Sequence, residues 1–217
     1  MCGRYIQTNK TKFIKKIFNL KSPFNDDLIS YNISPSNYSL IIINNKSLCL
    51  EKAKWGFSFY DKSTSVNKNV INSRIETINS KLLFKDSFNL RKCVIPANGY
   101  YEWKIHKNNK IPFYINIPEQ ESIYFAGIWK YLNFKENLNK IFTIITKKAN
   151  SKIMNIHNRM PILLSRDETE KYLYDDKSSY LNLNFTSELE DYLDFYSVSK
   201  FVNNPLNDSR ECIKYFN

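Results

Sequence analysis

Residues 40–57, LIIINNKSLCLEKAKWGF, read as a strand, an Asn-rich turn and a second strand. Three consecutive isoleucines suit a pleated surface, and the run is short for a helix. The same reading extends outward. KCVIPANGYYEWKI (92–105), IPFYINI (111–117), SIYFAGIWKYL (122–132) and KIFTIITKK (140–148) are further strands, divided by the polar turns HKNNK (106–110) and NFKENLNK (133–140). FYSVSKFV (195–202) reads as a final strand, and DKSTSVNKNV (61–70) as an exposed loop. In TKFIKKIFNL (11–20), Phe13, Ile14, Ile17 and Phe18 share one helical stripe. Ser165 with Glu168, and Ser187 with Glu190, are spaced as capping boxes for two late helices. The sum is an α+β chain, one domain over residues 1–217, rich in antiparallel strand with flanking helices.

The totals agree with one domain. The chain has 217 residues, 42% hydrophobic, with 15 Tyr, 15 Phe and 3 Trp to fill a core. Its formal net charge is +11, which fits either a polyanion partner or a solvated lysine surface. Cysteines at 2, 49, 93 and 212 form no Cys-x-x-Cys pair, so no metal site is expected; Cys49 and Cys93 lie in apolar runs as core residues. No apolar run follows the start and none is long enough to span a membrane, so the expectation is a monomer with free thiols in the cytoplasm or nucleoid. The four glycines, 3, 56, 99 and 127, each stand beside an aromatic or charged residue.

Chemistry-bearing residues are few. In MCGRY, Cys2 follows only Met1; removal of Met1 would leave an amine and a thiol on one residue. His106 reads as a solvated turn residue. His157, in NIHNRMP (155–161), is either structural or, with Asn158 and Arg159 beside it, part of a site. In VINSRIET (70–77), Asn72 and Arg74 share one side of an extended stretch, either as a binding pair or as an edge strand with an ordinary salt bridge. Glu102 lies between Tyr101 and Trp103; it either points to water or is desolvated and suited to proton transfer.

Together, MCGRY, YNISPSN, WGF, INSRIETI, RKCVIPANGYYEWK, FAGIW, FTIITKKAN, IHNRMPILL and VNNPLNDSRECI occur in this order, and the chain resembles the SOS response-associated peptidase (SRAP) family from residue 1 to about 213. The resemblance implies a barrel-like sheet and a protein that bonds covalently to abasic sites in single-stranded DNA, with no cofactor. It implies Cys2 as the crosslinking residue, forming a Schiff base and then a thiazolidine. It implies Glu102 as proton shuttle, His157 as assistant in sugar-ring opening and crosslink reversal, and Asn72 as the holder of the sugar and N-terminus. Arg4, Arg74 and Arg159 are implied as phosphate contacts and Thr146 as a residue near the DNA. Phe59 and Tyr60 are the candidates for an aromatic wedge, although the stretch after Trp55-Gly56 lacks the family's tryptophans. Peptidase and lyase activities are also implied. The rival expectations are an N-terminal-Cys amidotransferase, a basic single-strand-binding module without chemistry, and a purely self-processing peptidase.

Overall fold

A computed structural model describes residues 2–61, 63–107, 109–132, 139–176 and 178–216. Met1, and most of the turn expected at 133–140, lie outside the described residues. In chain order the first elements are β1 (Arg4–Gln7), α1 (Thr11–Phe18), β2 (Ser30–Ile33), β3 (Tyr38–Asn45), β4 (Ser47–Trp55), β5 (Phe57–Asp61), β6 (Val66–Val70), β7 (Asn72–Arg74) and α2 (Leu82–Leu90). They are followed by β8 (Lys92–Ala97), β9 (Gly99–His106), β10 (Asn109–Asn116), β11 (Ile123–Tyr131), β12 (Lys140–Lys148), β13 (Arg159–Pro161), β14 (Leu163–Leu164), α3 (Arg166–Leu173) and β15 (Asp194–Ser197).

Residues 40–57 form the β3–β4 hairpin, closed through Lys46 at φ 65°. From it the pairings run β4–β3–β8–β11–β12, and a parallel contact from β12 back to β4 closes a ring of five strands. A second sheet, ordered β15–β10–β9–β1–β2, packs on one side. Alternation along β3 divides the core: Ile41 and Ile43 meet Tyr5, Tyr100 and Ile115 of the second sheet, whereas Leu40 and Ile42 meet Ile14, Phe84 and Tyr172 of the three helices. Aromatic edges stiffen the inter-sheet layer, with Tyr5 against Trp55 at 5.1 Å and against Phe125 at 5.8 Å. Each such contact contributes about 0.5–1.5 kcal/mol beyond the area it buries.

The stretch 92–105 is two strands in different sheets. The chain crosses between them at Asn98, whose side chain accepts from Thr8 N at 2.7 Å and donates to the Glu121 carbonyl at 2.7 Å. Gly99 follows because a Cβ there would lie 2.5 Å from the Tyr114 ring and 2.6 Å from the Ile115 carbonyl. This break is what lets β9 carry Glu102 in the second sheet while β8 stays in the ring.

Three expectations need correction. Residues 66–70 are a strand, not loop: they pair with β5, and the charges of Lys68 and Asp61 meet across the hairpin. The second capping box forms by half. Glu190 accepts from Ser187 N at 3.0 Å, but the Ser187 hydroxyl is drawn to Glu168 at 2.5 Å, and only a 3-10 turn, Glu190–Tyr192, follows. The last strand ends at Ser197, because Ser199 caps a 3-10 turn, Lys200–Asn203, by accepting from Phe201 N. The Ser165–Glu168 capping box is complete on α3.

Candidate functional site

The site is assembled from four segments far apart in sequence. β1 pairs antiparallel with β9, Arg4 opposite Tyr101, so Cys2 arrives at the Glu102 end of β9. β7 lies parallel to β12, Asn72 opposite Ile144, and reaches the same place from the ring. Asn72 Nδ2 donates to the Cys2 carbonyl at 2.8 Å, and both residues are buried. The turn before β13 delivers His157, whose Nδ1 lies 4.0 Å from Glu102 Oε1. Sequence thus separates these groups by up to 155 positions while the two sheets bring them together.

Burial controls their protonation. Glu102 is 2% exposed, and loss of solvent raises its carboxyl above the ordinary range. The Cys2 thiol is pushed up by burial and then by the Glu102 charge, so it is held protonated. His157 is held below its usual value, first by burial, and is neutral at pH 7. Its separation from Glu102 would allow an ion pair, but the Arg159 backbone N–H donates to Nδ1 at 2.9 Å. Nδ1 is therefore the acceptor nitrogen, and the neutral ring carries its proton on Nε2.

Glu102 and His157 open into a cleft of about 470 Å³, whose walls include Arg4, Trp103, Ile105 and Lys110. The arginines differ sharply. Arg74 is exposed at the end of β7. Arg4 is part-buried: Nη1 donates to Asn32 Oδ1 at 2.7 Å and to the Val202 carbonyl at 2.9 Å, with the guanidinium 5.9 Å from the Trp103 ring centre. Arg159 makes a two-pronged contact with Glu76 and donates to Thr146, both carbonyl and Oγ1. Thr146 is fully buried, so its place is beneath Arg159 and not on the protein surface. Phe59 and Tyr60 stand on the β5–β6 hairpin, Tyr60 being 57% exposed, and neither lines the cleft. Among the described residues no group of three His, Cys, Asp or Glu could hold a metal, and no helix is long and apolar enough to cross a membrane.

Two contributors escape the sequence reading. Asn32 shares its amide among the carbonyls of Val202, Asn204 and Asn207 and so fastens the C-terminal segment beside Arg4. Glu76, two residues after Arg74, fills the Arg159 fork. Glu76 lies within INSRIETI and Asn32 within YNISPSN, so both stood inside motifs that carry the resemblance, but neither was singled out; the partners of Asn32 are backbone atoms, which no local pattern reveals.

Comparison with known proteins gives the family and the fold. The family model described as SOS response associated peptidase (SRAP) matches residues 1–205. The abasic site processing protein YoqW of Bacillus subtilis is 35% identical, the alignment covering 99% of each chain. The abasic site processing protein YoaM of the same organism is 33% identical over 98% of this chain and 97% of its own. A crystal structure of a Bacteroides thetaiotaomicron protein shares the fold with a TM-score of 0.78, at 22% identity, over 99% of this chain and 100% of that one.

Proposed function

We propose that this chain, which belongs to the SOS response associated peptidase (SRAP) family, handles abasic sites and does so by bonding covalently to them in single-stranded DNA through Cys2. The observation that carries the reading is the Asn72–Cys2 hydrogen bond, which holds residue 2 within reach of the Glu102 charge, Glu102 itself lying 4.0 Å from His157.

The chemistry begins when the bond preceding Cys2 is cut and its amine is free. An α-amine of pKa ~7.7–8.0 is substantially neutral near physiological pH. Its lone pair adds to C1′ of the ring-opened abasic sugar, an aldehyde, giving a carbinolamine. Loss of water, with a proton delivered to the departing oxygen, leaves an imine. A protonated Glu102 carboxyl, favoured by burial, suits that delivery, and the Nε2–H of His157 suits polarisation of the sugar oxygen. The Cys2 sulfur then adds to the imine carbon while its proton passes to the nitrogen. The net change is one water lost and a five-membered thiazolidine held by two bonds from one residue. Single-stranded DNA is favoured because C1′ must reach a recessed residue, which a stacked duplex hinders. The excess of cations suits a strand backbone.

The test is a denaturing gel of protein incubated with a single-stranded oligonucleotide carrying one abasic site. A slow-migrating species is expected for the wild type. It should vanish with Cys2→Ala and with an oligonucleotide of intact bases. Salt-sensitive binding without any such species would leave a plain binding module as the better reading.

A further inference from the structure

Arg159 is already occupied. Its Nη1 donates to Glu76 Oε1 at 2.5 Å, and its Nη2 to Glu76 Oε2 at 3.0 Å, to the Thr146 carbonyl at 2.7 Å and to Thr146 Oγ1 at 3.2 Å. A carboxylate held by two parallel N–H donors is the arrangement a guanidinium also offers a phosphate. The two residues differ in freedom. The Arg159 side chain is 12% exposed and anchored to the wholly buried Thr146, whereas the Glu76 side chain is 39% exposed in the turn after β7. Nη2 keeps both Thr146 contacts if Glu76 leaves; Nη1 loses its recorded partner and becomes available. Exposed Arg74, two residues earlier, adds positive charge beside the same carboxylate.

We propose that Glu76 gates phosphate binding: its carboxylate fills the Arg159 fork in the unbound protein and yields it to a phosphate of the bound strand. The inference rests on the reading of this chain as a binder of single-stranded DNA. The gate weakens capture of any passing strand, because a phosphate gains Arg159 only by displacing an internal anion. Selectivity then falls more heavily on the chemistry at Cys2.

The experiment is equilibrium binding of an undamaged single-stranded oligonucleotide, followed by fluorescence anisotropy across a salt series. The proteins are wild type, Glu76→Gln, Arg159→Ala and the double variant. Glu76→Gln is expected to bind about two- to fivefold more tightly, the strength of a partly exposed ion pair. Its log Kd against log salt should steepen by about 0.7, one additional phosphate contact on a single strand. In the Arg159→Ala background the same change should do nothing to the slope. Glu76→Asp, too short to close both bonds, should move as Gln does but less, and thermal melting checks that each variant is folded. Weaker binding by Glu76→Gln, or an unchanged slope, overturns the gate and makes Glu76 a scaffold for Arg159. Adduct formation by the wild type on abasic DNA is scored separately. Failure there removes the covalent reading and leaves the binding result to judge the gate.

Discussion

Asn72 and Cys2 are joined across 70 residues by one hydrogen bond of 2.8 Å from a side-chain amide to a backbone carbonyl. The bond restrains residue 2 at its carbonyl and leaves amine and thiol to react. Asn72→Ala should therefore slow adduct formation more than it unfolds the protein. A hydrogen bond of about 0.5–1.5 kcal/mol sets the loss at roughly two- to tenfold in the single-turnover rate. Quench-flow sampling resolved on gels measures it.

Glu102 sits where ionisation is costly, and this gives a pH signature. A carboxyl raised above its unfolded value costs nothing below the unfolded pKa. The penalty grows as pH rises through the raised value, because the unfolded chain ionises first. Glu102→Gln should thus be the more stable protein at pH 8, with the advantage shrinking towards pH 4. The same variant should lose roughly 10²–10⁴ of the crosslinking rate. Thermal melts across pH, set beside rates, separate the two effects.

His157 should remain neutral and protonated on Nε2 through pH 7. The chain contains two histidines, so nitrogen-resolved NMR can assign both. His157 is expected to show the Nε2–H tautomer and to titrate below the ordinary histidine range, since burial depresses it. A titration of His157 above that range would contradict the burial argument.

Lys147 and Glu190 form a buried ion pair at 2.6 Å, with side chains 12% and 3% exposed, that ties the segment after α3 to β12. Lys147→Met should cost about 3–5 kcal/mol by stranding the carboxylate, and pairing it with Glu190→Leu should recover most of that loss. Urea denaturation midpoints provide the check.

The strands were legible wherever a β-branched or aromatic run met a polar turn, as at 40–57 and 140–148. The chain's passage between sheets was not. Asn98 and Gly99 look like any turn until the Tyr114 ring beneath them is seen. The 61–70 hairpin was hidden because its outer strand, VNKNV, is almost wholly exposed and carries no alternation. At the site, Glu102 and His157 were readable only as candidates, since local sequence cannot say whether Tyr101 or Glu102 is buried. In fact both are, because β9 is covered on both faces. The burial of Thr146 under Arg159 was not legible either, because it depends on the β7–β12 and β12–β13 pairings.

The most direct measurement is the intact mass of the purified protein before and after incubation with an oligonucleotide bearing one abasic site. A chain beginning at Cys2 is expected, with a product equal to protein plus oligonucleotide minus one water that is absent from Cys2→Ala. A chain that begins at Cys2 and gives no such mass would contradict the covalent reading.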